Sequence, residues 1–135
     1  CDMPEFVEFI EAKGVDVVTD GLCFGTRRYQ GEVDENAAEC LLAIADHYLA
    51  RIACPAIIDG FDHSYGMIRQ MISDWGVDAV ICARLKFCDH WGGQRKLLAE
   101  ELRKESVPVL DLEREYNTAG SGQIATRVQA FLEML

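Results

Sequence analysis

Cys88 stands between Lys86-Phe87 and Asp89-His90, with Trp91 and the pair Gly92-Gly93 just beyond. A thiolate is the form of cysteine that ligates a metal or attacks an electrophile, and a cation such as Lys86 nearby favours that charged form. The chemistry open to this loop is therefore metal ligation or nucleophilic attack. The six cysteines lie at positions 1, 23, 40, 54, 82 and 88, and no Cys-x-x-Cys pair occurs among them. A self-contained zinc site or iron–sulfur cluster is thus not encoded locally.

The elements that must hold this loop can be read from hydrophobic period. Val77 to Ala83 is an apolar run of the kind that forms a buried strand, and Cys88 follows its carboxyl end. Ligands in open α/β sheets bind just beyond the carboxyl ends of the strands. Two more strands are expected at Val15–Thr19 and Val107–Leu112. Helices are expected over Pro4–Lys13, Glu35–Ile52, a segment around Met67 to Trp75 closed by Gly76, Gln94–Ser106 and Gly122–Leu135, from apolar residues at helical spacing. Alternating strands and helices predict a single α/β domain over residues 1–135. Its expected form is a three-layer Rossmann- or flavodoxin-like arrangement, with a mostly parallel sheet of three or four strands.

Parallel strands send their exit loops to one edge, so three loops should converge. The first carries Cys23, Gly25, Thr26 and Arg27; the second Lys86, Cys88, Asp89 and His90; the third Glu113, Arg114, Tyr116 and the run Asn117 to Gln123. Arg27, Glu113, Ser121 and Gln123 are the candidate substrate contacts in these loops. Each feature also has an ordinary explanation. Cys82 inside a strand, Cys40 on a helix and Cys54 before a proline suit packed core positions. The Gly120-Ser121-Gly122 run lacks the G-x-G-x-x-G spacing of a dinucleotide site; it suits an anion at a helix N-terminus or a plain capping loop. Arg27 and Arg28 suit a phosphate or carboxylate, or pairing with surface acids.

Composition narrows the partners. The net charge is −10, which argues against a nucleic-acid backbone or an anionic membrane. Half the residues are apolar and 27% are charged, as in a globular domain. No apolar run approaches the ~20 residues of a membrane span. Reduced cysteines and the absence of a visible export signal point to a cytoplasmic location. The chain opens on Cys1 rather than Met and enters a helical segment at once. The expectation is a C-terminal piece of a longer subunit.

Five segments then appear together and in order: Asp20-Gly21-Leu22-Cys23-Phe24-Gly25-Thr26-Arg27, Arg51-Ile52-Ala53-Cys54-Pro55, Leu85-Lys86-Phe87-Cys88-Asp89, Pro108-Val109-Leu110-Asp111-Leu112-Glu113 and Ser121 to Phe131. The set resembles the C-terminal domain of the 2-hydroxyacyl-CoA dehydratase and benzoyl-CoA reductase family, also called the 2-hydroxyglutaryl-CoA dehydratase D-component family. The resemblance covers nearly the whole chain, and its most specific parts are the Lys-Phe-Cys-Asp loop and the Gly-Gln-Ile-x-Thr-Arg helix. It implies an oxygen-sensitive, anaerobic enzyme whose subunit holds a 4Fe-4S cluster between two α/β domains. It also implies a homologous second subunit and an ATP-dependent activator that delivers a low-potential electron. The electron makes a ketyl radical of an acyl-CoA thioester, which loses its hydroxyl as a lyase reaction, or an aromatic ring is reduced instead. Carried onto this sequence, the resemblance assigns Cys88 as the cluster ligand. Lys86 and the N–H groups around Gly92 and Gly93 become donors that tune the cluster. Cys23 lies in a shared segment but is not assigned as a ligand. The other cysteines would come from a missing N-terminal domain, so the chain alone is expected to hold no intact cluster and to be inactive. Two other readings remain open: a Rossmann-like module that only docks a subunit or ligand, and a cluster-carrying electron-transfer paralogue.

Overall fold

Two strands, β1 (Val80–Leu85) and β2 (Val109–Arg114), pair in parallel and set the frame for the rest. The register runs from Val80 opposite Val109 to Leu85 opposite Arg114. The ladder extends one bond past each end: Val80 donates to the Pro108 carbonyl at 2.9 Å and Lys86 to the Arg114 carbonyl at 2.8 Å. This computed structural model describes residues 4–50, 53–57, 60–115 and 122–135. Among them the helices are α1 (Pro4–Glu11), α2 (Thr26–Tyr29), α3 (Cys40–Ala50), α4 (Phe61–Trp75), α5 (Asp89–Lys104) and α6 (Gly122–Leu132). None is long and apolar enough to cross a membrane.

Side chains alternate across a strand, so each face of the pair needs its own cover. On one face Cys82 and Val109 pack with Leu98, Ala99 and Leu102 of α5, backed by Phe61, Tyr65, Ile68 and Ile72 of α4. On the other, Leu112 packs with Ile10 of α1 and with Ile124 and Val128 of α6, alongside Ile81, Ala83 and Leu110. Leu102, Leu112 and Val128 are wholly buried, one or more on each face. The helix ends follow local chemistry. Gly76 closes α4 in the left-handed region (φ 58°, ψ 47°), donating to the Ile72 carbonyl. Gly14 turns the chain after α1 with φ 87°. Both conformations suit a residue without Cβ.

The expected α/β class is present, with two corrections. Residues 15–19 are not a strand. Val15 packs beside the α1–α6 cluster, but Val17 and Val18 are exposed and the Val17 N–H donates to the Glu11 carboxylate at 3.3 Å. A β-branched run needs a neighbouring strand to complete its hydrogen bonds, and here a helix side chain supplies the acceptor instead. The sheet among the described residues therefore has two strands, not the three or four expected, and the Rossmann- or flavodoxin-like strand order is not reached.

Leu112→Ala should cost about 2–5 kcal/mol, because a fully buried leucine leaves a cavity between α1, α6 and β2. Urea unfolding measures this, and a loss under about 1 kcal/mol would mean that this face is not packed as described.

Candidate functional site

β1 ends two residues later than its apolar run, because Arg84 lies opposite Glu113 and the two form an ion pair across the strands. The exit loop is consequently short. Phe87 sits in the left-handed region at φ 67°, which costs a bulky residue roughly 1–2 kcal/mol. Its ring is 84% exposed. The reversal lets Cys88 N–H donate back to the Leu85 carbonyl at 3.1 Å. Cys88 then occupies the N-cap of α5, its carbonyl accepting from Gly92 N–H at 2.9 Å. Its side chain makes no capping bond, and the thiol is free and half-buried. Helix N-termini leave their first N–H groups without intrahelical partners and favour negative charge nearby. The arrangement therefore presents one sulfur, beyond a strand end, beside a helix N-terminus.

The expected tuning donors are placed differently. Gly92 and Gly93 lie inside α5, not in a loop, and the Gly92 N–H is already bonded to Cys88's own carbonyl. The helix begins at Asp89, with Cys88 in the N-cap position and extended in backbone, a start that no apolar period announces. Lys86 Nζ pairs with Glu115 at 3.0 Å and lies 5.5 Å from the centre of the Phe87 ring.

Beneath α5, the sheet face turns from apolar to charged toward this edge. Beyond the Arg84–Glu113 pair, Arg95 of α5 pairs with Asp111, whose carbonyl accepts from Arg127 of α6 at 2.7 Å. A Cβ on Gly92 would lie 3.4 Å from Arg84 Nη1, so the guanidinium lies directly under the first turn of α5. Arg84 is not among the residues that the strand-exit argument singles out. Its signal was there: 80, 82 and 84 share one strand face, and the last of them is charged.

The first loop is organised by one carboxylate. Asp20 accepts from Leu22 N–H at 3.0 Å, and from the N–H and hydroxyl of Thr26 at 3.1 Å each. A Cβ on Gly25 would overlap the Asp20 carboxylate, so a side chain there would have to displace it from its hydrogen bonds. Arg27 donates to the Ala53 carbonyl at 3.0 Å and to Cys23 Sγ at 2.8 Å, tying this turn to the segment before Pro55. Arg27 and Glu113, the expected substrate contacts, thus both have partners within the chain. Gln123 is exposed in the first turn of α6. Ser121 lies outside the described residues, as do Tyr116 and the run up to Gly120.

Cys88 and Glu113 share one edge of the sheet, as parallel pairing requires. Cys23 follows a segment that is not a strand, so the strand-exit argument does not place it there. Cys82 is buried in β1, and its thiol is pushed up to about 11 by burial and then by the Asp111 carboxylate. Cys40, expected in the core, is exposed, and Cys54 is half-buried. Among the described residues no three His, Cys, Asp or Glu side chains gather closely enough to hold a metal ion. The donor at this edge is therefore one cysteine sulfur, which fits one corner of a cluster and not a whole one. A groove of about 420 Å³ lies elsewhere, between α4 and the segment before β2, lined by Arg69, Gln70, Ile72, Glu105 and Val107. It sits at the strand-start side, away from Cys88.

These features define an α/β domain whose candidate chemistry sits at the strand-exit edge around a single available cysteine. The profile of the 2-hydroxyglutaryl-CoA dehydratase, D-component family matches residues 1–135, and the chain belongs to that family. It is 32% identical over 130 residues to the Escherichia coli (strain K12) protein named "Putative dehydratase subunit YjiM", covering 96% of this chain and 33% of that protein. It is 24% identical over 131 residues to lactoyl-CoA dehydratase subunit beta of Anaerotignum propionicum, covering 97% of this chain and 35% of that protein. The chain thus spans about a third of the length of these curated relatives.

Gly25→Ala should lower stability by about 1–3 kcal/mol, because the new methyl must break the Asp20 hydrogen bonds. Gly21→Ala, whose Cβ meets nothing within 4 Å, should stay within about 0.5 kcal/mol of the parent. Equal losses in thermal melts would contradict the Asp20-centred turn.

Cys82 also gives stability a pH dependence. Its folded value of about 11 lies above the ordinary 9.0, so above pH 9 the unfolded chain releases this proton first. The folded state then binds more protons, and stability falls as pH rises from about 9 to about 11. Cys82→Ala should flatten that fall in denaturant titrations. An unchanged slope would show that Cys82 is not the titrating group.

Proposed function

We propose that this chain is the part of a 2-hydroxyacyl-CoA dehydratase-type subunit that supplies Cys88 to an iron–sulfur cluster. The remaining ligands would come from protein outside this stretch. The carrying observation is the placement of Cys88: a free, half-buried thiol at the N-cap of α5, just past the end of a parallel strand, in a chain matched over its whole length by a dehydratase family. Cys82 is a poor ligand by comparison, since it is packed among Leu98, Ala99 and Leu102. When bound, a 4Fe-4S cluster supplies one-electron chemistry at a potential set by its surroundings. The chain's own contribution is positional. The Phe87 reversal and the Leu85 hydrogen bond fix the sulfur at the edge; the Arg84–Glu113 pair ties the two strands together there, and the Arg95–Asp111 pair holds α5 against the sheet.

The reaction in this reading is elimination of water from a 2-hydroxyacyl-CoA thioester, after an ATP-dependent activator delivers an electron. The partners are a homologous second subunit and that activator. Both relatives are named as dehydratase subunits, which favours dehydration over ring reduction.

Iron and sulfide analysis, done anaerobically on the subunit as the cell makes it, tests the reading. Cys88→Ser should lower bound iron and dehydration together, while its iron-free form melts near the iron-free parent. Cys82→Ser should keep its iron and lose stability. Normal iron content in Cys88→Ser would overturn the assignment.

A further inference from the structure

Helix α3 is apolar along one side and unpartnered there. Leu41 is 83% exposed, Leu49 69%, Leu42 58%, Tyr48 53% and Ile44 44%. At ~100° per residue these five side chains fall within an arc of about 160°, one continuous stripe along the helix. The small Ala45 within the arc is half-buried, as are Ala43 and His47 on the other side. A continuous exposed apolar stripe marks an interaction surface. Its rim is acidic: Glu32, Asp34, Glu35, Glu39 and Asp46 are all exposed, and no Lys or Arg occurs from Tyr29 to Ala50.

Charge decides between occupants. A second copy of this chain would set acid against acid around the stripe, and juxtaposed like charges oppose association. The relatives offer another partner. The stretch that aligns with this chain is 33% and 35% of their length, so a family-length subunit holds about twice as much protein again. We infer that α3 docks onto the remainder of a family-length subunit, through an apolar patch rimmed by lysine and arginine. The inference rests on family membership and stands whether or not Cys88 holds iron.

Hydrogen–deuterium exchange over residues 40–50 tests it, comparing the 135-residue chain with the full polypeptide encoded around it. Amides there should exchange at least tenfold more slowly in the full polypeptide. Leu41→Ser/Leu49→Ser should restore fast exchange in the full polypeptide and leave the melting temperature of the 135-residue chain unchanged. Glu35→Lys/Glu39→Lys, which keeps the apolar stripe, should loosen α3 in the full polypeptide alone. In sedimentation velocity the 135-residue chain should run as a monomer. Equal exchange in the two forms, or a dimer of the 135-residue chain that Leu41→Ser/Leu49→Ser dissociates, would overturn the inference. Iron measured on the same samples reads the Cys88 assignment separately.

Discussion

The parallel pairing of Val80–Leu85 with Val109–Arg114 is the constraint on which everything else rests. Parallel strands cannot be joined by a tight turn, so α5 must cross back between them. That crossover buries Leu98, Ala99 and Leu102 on one face and leaves Leu110 and Leu112 for α1 and α6 on the other. The same geometry puts the start of α5 and the end of β2 at one edge. Cys88 is available there because the strand has ended and the helix has only begun. A shift of one residue in a strand moves its side chains to the opposite face. The register that buries Cys82 is therefore also the register that sets Arg84 opposite Glu113.

The charged end of the sheet matters for the same reason. Ion pairs with exposed members contribute little to stability, and one screened only partly from water contributes modestly. The value of the Arg84–Glu113 and Arg95–Asp111 pairs is geometric. They replace apolar packing where the sheet approaches the exit edge, and they connect α5, both strands and, through Arg127, α6. A site at such an edge can be polar without opening the core beneath it.

Much of this was legible in the amino acids. Gly76 marked the end of α4, and the apolar run before Arg84 marked β1. The role of Cys82 as a packed core thiol followed from its place inside that run. What failed were features decided by distant partners. Val15 to Thr19 has strand-forming residues, but in the fold its valines find no ladder. Gly92 and Gly93 look like loop residues, yet α5 begins at Asp89 and includes them. The spacing of Leu41, Ile44, Tyr48 and Leu49 correctly indicated a helix, but periodicity cannot say whether its apolar side has anything to cover it. The Asp20 turn was visible as two glycines. Only the structure shows that the Asp20 carboxylate occupies the space a side chain at Gly25 would take.

Differential alkylation reads directly whether the Cys88 sulfur is bonded to iron in the working protein, as proposed. The iron-loaded subunit and its chelator-stripped form would each be treated with iodoacetamide under anaerobic conditions and mapped by mass spectrometry. Exposed Cys23 serves as the reference thiol. The account predicts that Cys88 is protected in the loaded form and labelled after iron is removed, while Cys23 labels equally in both. Labelling of Cys88 at the same rate with and without iron would contradict it.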